Sequence, residues 1–222
     1  SQSLTERLRL PSAKVHILPL GAERITVGAK QFDSLDLLYV GTLDGRRIED
    51  TLVGFEKFLR DCGAGITFTY TIVGGSNSGQ LERLRQLVHL KGIDDSVRLL
   101  GYVHKTHLRD VFDRCNVGIS YVPITDVYDC QPVTKTFEYL YAGMPVIATA
   151  TTENRKVISS INGVLIQDTP EEFYRGLKEV YDRRHEYDSE RVRSCCPESS
   201  WDRIVGLNFV PYIQKICQSR IP

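Results

Sequence analysis

Residues 132–149 read PVTKTFEYLYAGMPVIAT. Pro132 suits the first turn of a helix, where its missing N–H costs little. Gly143 and then Pro145 end the helical pattern, and a short apolar strand, PVIATA (145–150), follows. Within the helix, positions 135, 138, 139 and 142 share a face. Lys135 and Glu138 therefore stand three apart on one side, near the start. As a solvated pair they are worth only ~0.2–0.5 kcal/mol, and an ordinary surface ion pair accounts for them energetically. Their location points elsewhere, and only the rest of the chain shows why.

Outward from this stretch, short apolar runs alternate with helical patterns. VHILPLG (15–21) reads as a strand and LDLLYVG (35–41) as a better one. TLVGFEKFLRDCG (51–63) has helical spacing, with Asp50 as a candidate cap and Gly63 as its stop. ITFTYTIVGG (66–75), SVRLLGYV (96–103), NVGISYVP (116–123) and NGVLIQD (162–168) read as further strands. GQLERLRQLVHLKG (79–92), HLRDVFDRC (107–115) and PEEFYRGLKEVYDRR (170–184) read as helices. SSWDRIVGLNFVPYIQKI (199–216) is amphipathic, and Pro211 predicts a kink or break inside it. Such alternation predicts an α/β fold, a doubly wound parallel sheet flanked by helices. Ligands of such sheets sit beyond the carboxyl ends of the strands.

The whole chain sets the bounds. Its 222 residues suit one large domain or two small ones, and 28 Lys and Arg balance 28 Asp and Glu. Zero net charge argues against a nucleic-acid partner, which calls for a basic surplus. The six cysteines show no CxxC pair, so free thiols in a reducing cytoplasm are expected rather than a zinc site. No run approaches the ~20 apolar residues of a membrane span, and the first residues lack a signal-peptide apolar region. A cytoplasmic protein is expected.

Five strand-to-helix loops are the places to search. GTLDGRRIE (41–49) carries Gly41 and Gly45 for close backbone approach, and Arg46 and Arg47 beside a helix start. These arginines suit a phosphate, and they equally suit a solvated turn. GGSNSGQ (74–80) resembles a phosphate loop, yet matches neither GxGxxG nor GxxxxGK[ST]. His104 and His107 in loop 101–107 lack companion ligands for a metal. Loop 121–134 is long for an α/β connection, carries Asp126 and Asp129, and leads into the helix of Lys135 and Glu138. Loop 149–156 is the fifth. A carboxylate at a strand end can accept two ribose hydroxyls, and an ammonium there can meet a diphosphate.

At these residues a family resemblance emerges. VHILPLGAE (15–23), LLYVGTL (37–43), YTIVGG (70–75), VRLLGYV (97–103), PVTKTFEYLYAGMPVIAT and SWDRI (200–204) occur in an order that resembles the C-terminal, donor-binding half of retaining glycosyltransferases of family 4, which have the two-domain GT-B fold. The similarity covers nearly all of residues 14–217. It implies a single nucleotide-sugar-binding domain over 1–222, with 1–13 a remnant of the inter-domain linker and 199–217 a C-terminal helical segment. By the same resemblance, Glu138 holds the nucleotide ribose, Thr134 and Lys135 meet the diphosphate, and Val133 belongs to the nucleotide-sugar site. Tyr102 and Val103 contact the base, while Gly41, Thr42 and Gly75 line the donor site. Arg46 or Arg47, with Lys135, supplies the charge that catalysis needs. Three departures are visible. Thr42 stands where the family usually has Arg. Cys130 stands eight residues before Glu138, where the family often has a first Glu, so Asp129 or Asp126 becomes the candidate substitute. The N-terminal, acceptor-binding domain is absent from the sequence.

The resemblance implies a nucleotide-diphosphosugar donor, no cofactor and no metal, an unidentified acceptor in polysaccharide or glycoconjugate synthesis, and peripheral association of the full enzyme with the inner membrane face. Two other readings keep the fold. One is a non-catalytic nucleotide-binding or interaction module, favoured by Thr42 and Cys130. The other is a different nucleotide enzyme, such as a sugar-nucleotide epimerase half or a dinucleotide-binding domain. The missing GxGxxG after the first strand counts against a dinucleotide.

Overall fold

The computed structural model describes residues 1–12, 15–62, 67–196 and 200–218. Six strands form one all-parallel sheet: β1 (Leu35–Val40), β2 (Phe68–Val73), β3 (Val97–Gly101), β4 (Val117–Ser120), β5 (Val146–Thr149) and β6 (Gly163–Ile166). Their spatial order is β3-β2-β1-β4-β5-β6. Winding therefore proceeds outward from β1 in one direction, then returns to β4 and proceeds in the other. This is the doubly wound arrangement, with its switch point between β1 and β4.

Helix α2 (Ile48–Asp61) lies against α3 (Gln80–Lys91) and α6 (Pro170–Asp182) on one face. Helix α5 (Thr134–Tyr141) lies on the other, between α7 (Ser189–Ser194) and α4 (Lys105–Arg114), which it meets through Phe112 and Tyr139. Aromatic edges make much of the first layer: Phe58 meets Phe68 and Tyr181, and Phe55 meets Tyr70. β4 and β5 are buried throughout, as strands covered on both faces must be.

Several local expectations change. VHILPLG forms no strand: only Ala22 bridges to Ser200, and Ile17 and Leu18 stay partly exposed. Pro19 can donate to no ladder there. The ring of Trp201 instead lies on the Gly21 backbone, so closely that a Cβ at Gly21 would come within 2.4 Å of it. α2 starts at Ile48, and its cap is Arg47 in the left-handed region (φ 53°), not Asp50; Gly63 lies outside the described residues. α5 begins at Thr134, so Pro132 precedes the helix rather than opening it. Residues 2–7 of the expected linker form a short helix, α1, whose N-cap Ser1 also donates to the Cys130 carbonyl at 2.7 Å.

The C-terminal segment runs helically from Trp201 to Gln218 straight through Pro211. Its turns widen to the i→i+5 form over Val205–Phe209, just before the proline. A widened turn absorbs the ladder bond that proline cannot make. Among the described residues, no helix is long and apolar enough to cross a membrane.

Candidate functional site

Two adjoining cavities open beyond the carboxyl ends of the strands, and both use Val40, Gly41 and Thr42 at the end of β1. The first, about 320 Å³, is lined by Arg46, Val133, Thr134, Lys135 and Glu138. The second, about 470 Å³, is lined by Gly75, Tyr102 and Val103. Residues from four separate loops thus converge at the switch point; of the donor-site candidates from sequence, Arg47, Asp126 and Asp129 line neither cavity.

Tyr139 fixes the floor. Gly118 of β4 leaves room for its ring, since a Cβ there would sit 2.3 Å from Tyr139 Cγ. The Tyr139 hydroxyl then accepts a hydrogen bond from Val40 N at 2.8 Å, where β1 and β4 have parted. Ser120 and Thr136 hydroxyls meet at 2.6 Å, and Thr136 donates to Asn154 Oδ1 at 3.1 Å. These buried bonds seat the start of α5 on β4. The two glycine loops touch at backbone level, where Gly74 has room only for hydrogen beside the Gly41 carbonyl.

Lys135 is buried, and Glu138 is half-buried. They do not form the surface ion pair that their spacing permits. Lys135 Nζ lies 3.8 Å from the centroid of the Tyr39 ring and makes no carboxylate contact among the described residues. The ring is held by its hydroxyl, which donates to the Thr42 carbonyl at 2.8 Å. Gly41 lies close beside it, at φ 156°, where a Cβ would stand 3.1 Å from Lys135 Nζ. Burial, with repulsion from Arg46, holds the Lys135 ammonium well below its ordinary range, and Glu138 offsets this only in part. Burial, helped by Glu23, raises the Glu138 carboxyl above its ordinary value; Lys135 and Lys105 act against it.

The two arginines separate. Arg47 is tied to Asp50 at 2.6 Å and Asp168 at 3.2 Å, and it lines neither cavity. Arg46 turns into the first cavity, where its guanidinium lies 4.1 Å from the Tyr128 ring centroid. Its Nη1 is buried without a hydrogen-bond partner, and it has no ion pair among the described residues. Two cations without an ion pair among the described residues thus share one cavity with the start of α5, whose N-cap Val133 offers no capping side chain. Free amides at a helix N-terminus add positive potential to such a place. The arrangement is an anion receptor with a carboxylate, Glu138, at its edge.

Asp129 lies elsewhere. Its carboxylate accepts from Thr152 N at 2.9 Å and Thr152 Oγ1 at 2.7 Å, which lowers its pKa, and it lines neither cavity. Asp126 is exposed and paired with Arg7 at 2.9 Å. Cys130 is buried. Tyr39, Tyr128 and Tyr139 escaped sequence reading because an aromatic in a strand, loop or helix looks like core. Asp44 escaped too: it accepts from Ser76 Oγ, Asn77 N and Ser78 Oγ, which holds loop 74–80 in place and lowers its pKa to about 2. Among the described residues, no group of three His, Cys, Asp or Glu is placed to hold a metal.

The family model of glycosyl transferases group 1 matches residues 34–183, from β1 through α6. The chain belongs to this family. Its fold is that of GT-B glycosyltransferases among solved structures. Sucrose-phosphate synthase from Thermosynechococcus elongatus aligns over 98% of this chain and 57% of its own, at 20% identity and TM-score 0.73. The lipopolysaccharide outer core galactosyltransferase WaaB aligns over 97% and 60%, at 16% identity and TM-score 0.69. Anabaena HepE, solved with UDP and glucose, aligns over 84% and 48%, at 14% identity and TM-score 0.61. The chain thus spans about half to three fifths of the length of these structures. A comparison with curated proteins finds no match.

Proposed function

We propose that this chain is the donor-binding half of a glycosyltransferase that retains anomeric configuration and takes a nucleotide-diphosphosugar. One observation carries the reading: Arg46 and Lys135 stand in one cavity at the switch point, and neither makes an ion pair among the described residues. A buried cation without a partner is costly unless a ligand supplies the anion. A diphosphate placed there would span both cations and the first amides of α5. Glu138 would accept the ribose hydroxyls, and the base would extend into the second cavity beside Tyr102 and Val103. As the glycosidic bond breaks, negative charge grows on the leaving diphosphate, and fixed cations stabilise it. UDP and glucose in HepE support a nucleotide-sugar donor.

The acceptor site would belong to an N-terminal domain, with residues 1–13 part of the link to it, and without that domain transfer would be weak or absent. Polysaccharide or glycoconjugate synthesis in the cytoplasm, with peripheral contact at the inner membrane face, is the setting this reading favours.

Calorimetry with UDP, GDP and ADP on wild type and Glu138→Ala tests it. Wild type should bind at least one of the three, and Glu138→Ala should lose about tenfold or more of that affinity, as for a hydrogen bond to a charged group. Equal binding by both proteins would remove Glu138 from its role. No binding of any nucleotide by wild type would favour the non-catalytic module, to which buried Cys130, in place of a sugar-contacting acid, also points.

A further inference from the structure

Arg46 is held by an aromatic face rather than by a carboxylate. The Tyr128 ring lies 4.1 Å from its guanidinium carbon. Stacking occupies the flat face of a guanidinium and leaves its in-plane N–H edges free for an anion. A carboxylate partner would occupy those same edges. Arg47, the next residue, shows this contrast, since Asp50 and Asp168 take its donors.

Tyr128 is itself held. It precedes Asp129, whose two bonds to Thr152 anchor the long β4–α5 loop on the loop after β5. The Tyr128 carbonyl accepts from Gln131 N at 3.2 Å, and its amide donates to Thr125 Oγ1 at 3.4 Å. The Tyr128 hydroxyl has no hydrogen bond among the described residues, so the ring alone serves Arg46. Gly45, in the left-handed region at φ 68°, lies under that hydroxyl, where a Cβ would approach it to 3.7 Å.

We infer that Tyr128 is the positioning residue of the anion site: its ring, fixed by the Asp129–Thr152 anchor, holds Arg46 at the cavity with its donors not taken by a carboxylate. The inference rests on the donor-site reading above and deepens it. It also gives Asp129 a different task from the sugar contact expected of it, namely to place the residue before it.

The test uses the full chain as wild type, Tyr128→Phe and Tyr128→Leu, with UDP and uridine as probes in NMR titrations. The order of the Arg46 side chain is read in parallel from its Nε–Hε relaxation. Tyr128→Phe should keep UDP affinity and Arg46 order. Tyr128→Leu should lose roughly 3- to 30-fold in UDP affinity, the range of a partly desolvated cation–π contact, leave uridine affinity unchanged and mobilise Arg46. Equal loss for UDP and uridine would indicate a general loop defect and overturn the inference. So would an unchanged UDP affinity in Tyr128→Leu, although the donor site would then stand. Failure of wild type to bind UDP, GDP or ADP would remove the donor site and this inference together.

Discussion

Replacing Lys135 by Met should make the protein more stable and less able to bind its ligand. Lys135 keeps only 9% of its accessible surface. Its ammonium faces the Tyr39 ring, with Arg46 adding repulsion and no carboxylate in contact among the described residues. Burial of a lone charge costs several kcal/mol, and the aromatic face returns about 2 kcal/mol or less. Met has similar length, fills the same slot against Tyr39 and carries no charge. The net gain should be about 1–3 kcal/mol, or some 2–4 °C in Tm per kcal/mol for a chain of this size.

Dependence on pH identifies the cause. The folded-state pKa of Lys135 is depressed below 10.5. Between the two values the unfolded chain holds a proton that the folded chain has shed, so wild-type stability rises with pH across that window. The Met variant lacks this slope. Its advantage should be largest below the folded value and close to nothing above pH 10.5. Urea denaturation at pH 7 and pH 10.5 reads the difference, and calorimetry reads the loss of UDP binding, roughly 10- to 150-fold for one charge-assisted bond. A Met variant destabilised by more than about 1 kcal/mol at pH 7, with UDP affinity intact, would refute the reasoning.

The two arginines should part experimentally as they do in space. Arg46→Ala should lower UDP affinity about tenfold or more without loss of stability. Arg47→Ala should hold UDP affinity within about twofold and cost about 1 kcal/mol or less, since its pairs with Asp50 and Asp168 lie at a half-exposed position; titration and urea denaturation of both variants check this. Gly118→Ala should displace Tyr139 and break its bond to Val40 N. A cost of about 1–3 kcal/mol or more in thermal unfolding is expected, and an unchanged Tm would show that the contact is loose.

The sheet was legible because a buried parallel strand announces itself as a short apolar run, and β1, β4 and β5 do so between helical periods. Caps and edges were less legible. Arg47 starts α2 in a left-handed conformation that no propensity favours, and VHILPLG has strand composition yet meets no sheet edge. Sequence reading singled out Arg46, Lys135 and Glu138, which line one cavity, because charge at a strand end stands out. It could not separate Arg46 from Arg47, adjacent residues of the same type, nor tell a sugar-contacting Asp129 from an anchoring one.

By itself, then, the sequence determined an alternating α/β chain and the charges at its strand ends, since periodicity and residue type are local properties. The tertiary structure decided what those charges do. Strand order brought four loops to one switch point, and burial of α5 took Lys135 out of water. Only there do Tyr39 and Tyr128 meet the two cations that their distance along the chain keeps apart. A Lys and Glu three apart on a helix would pair in solvent. Packed against β4 and β5, they instead line a cavity, because tertiary packing turns the Lys135 ammonium onto the Tyr39 ring and away from Glu138.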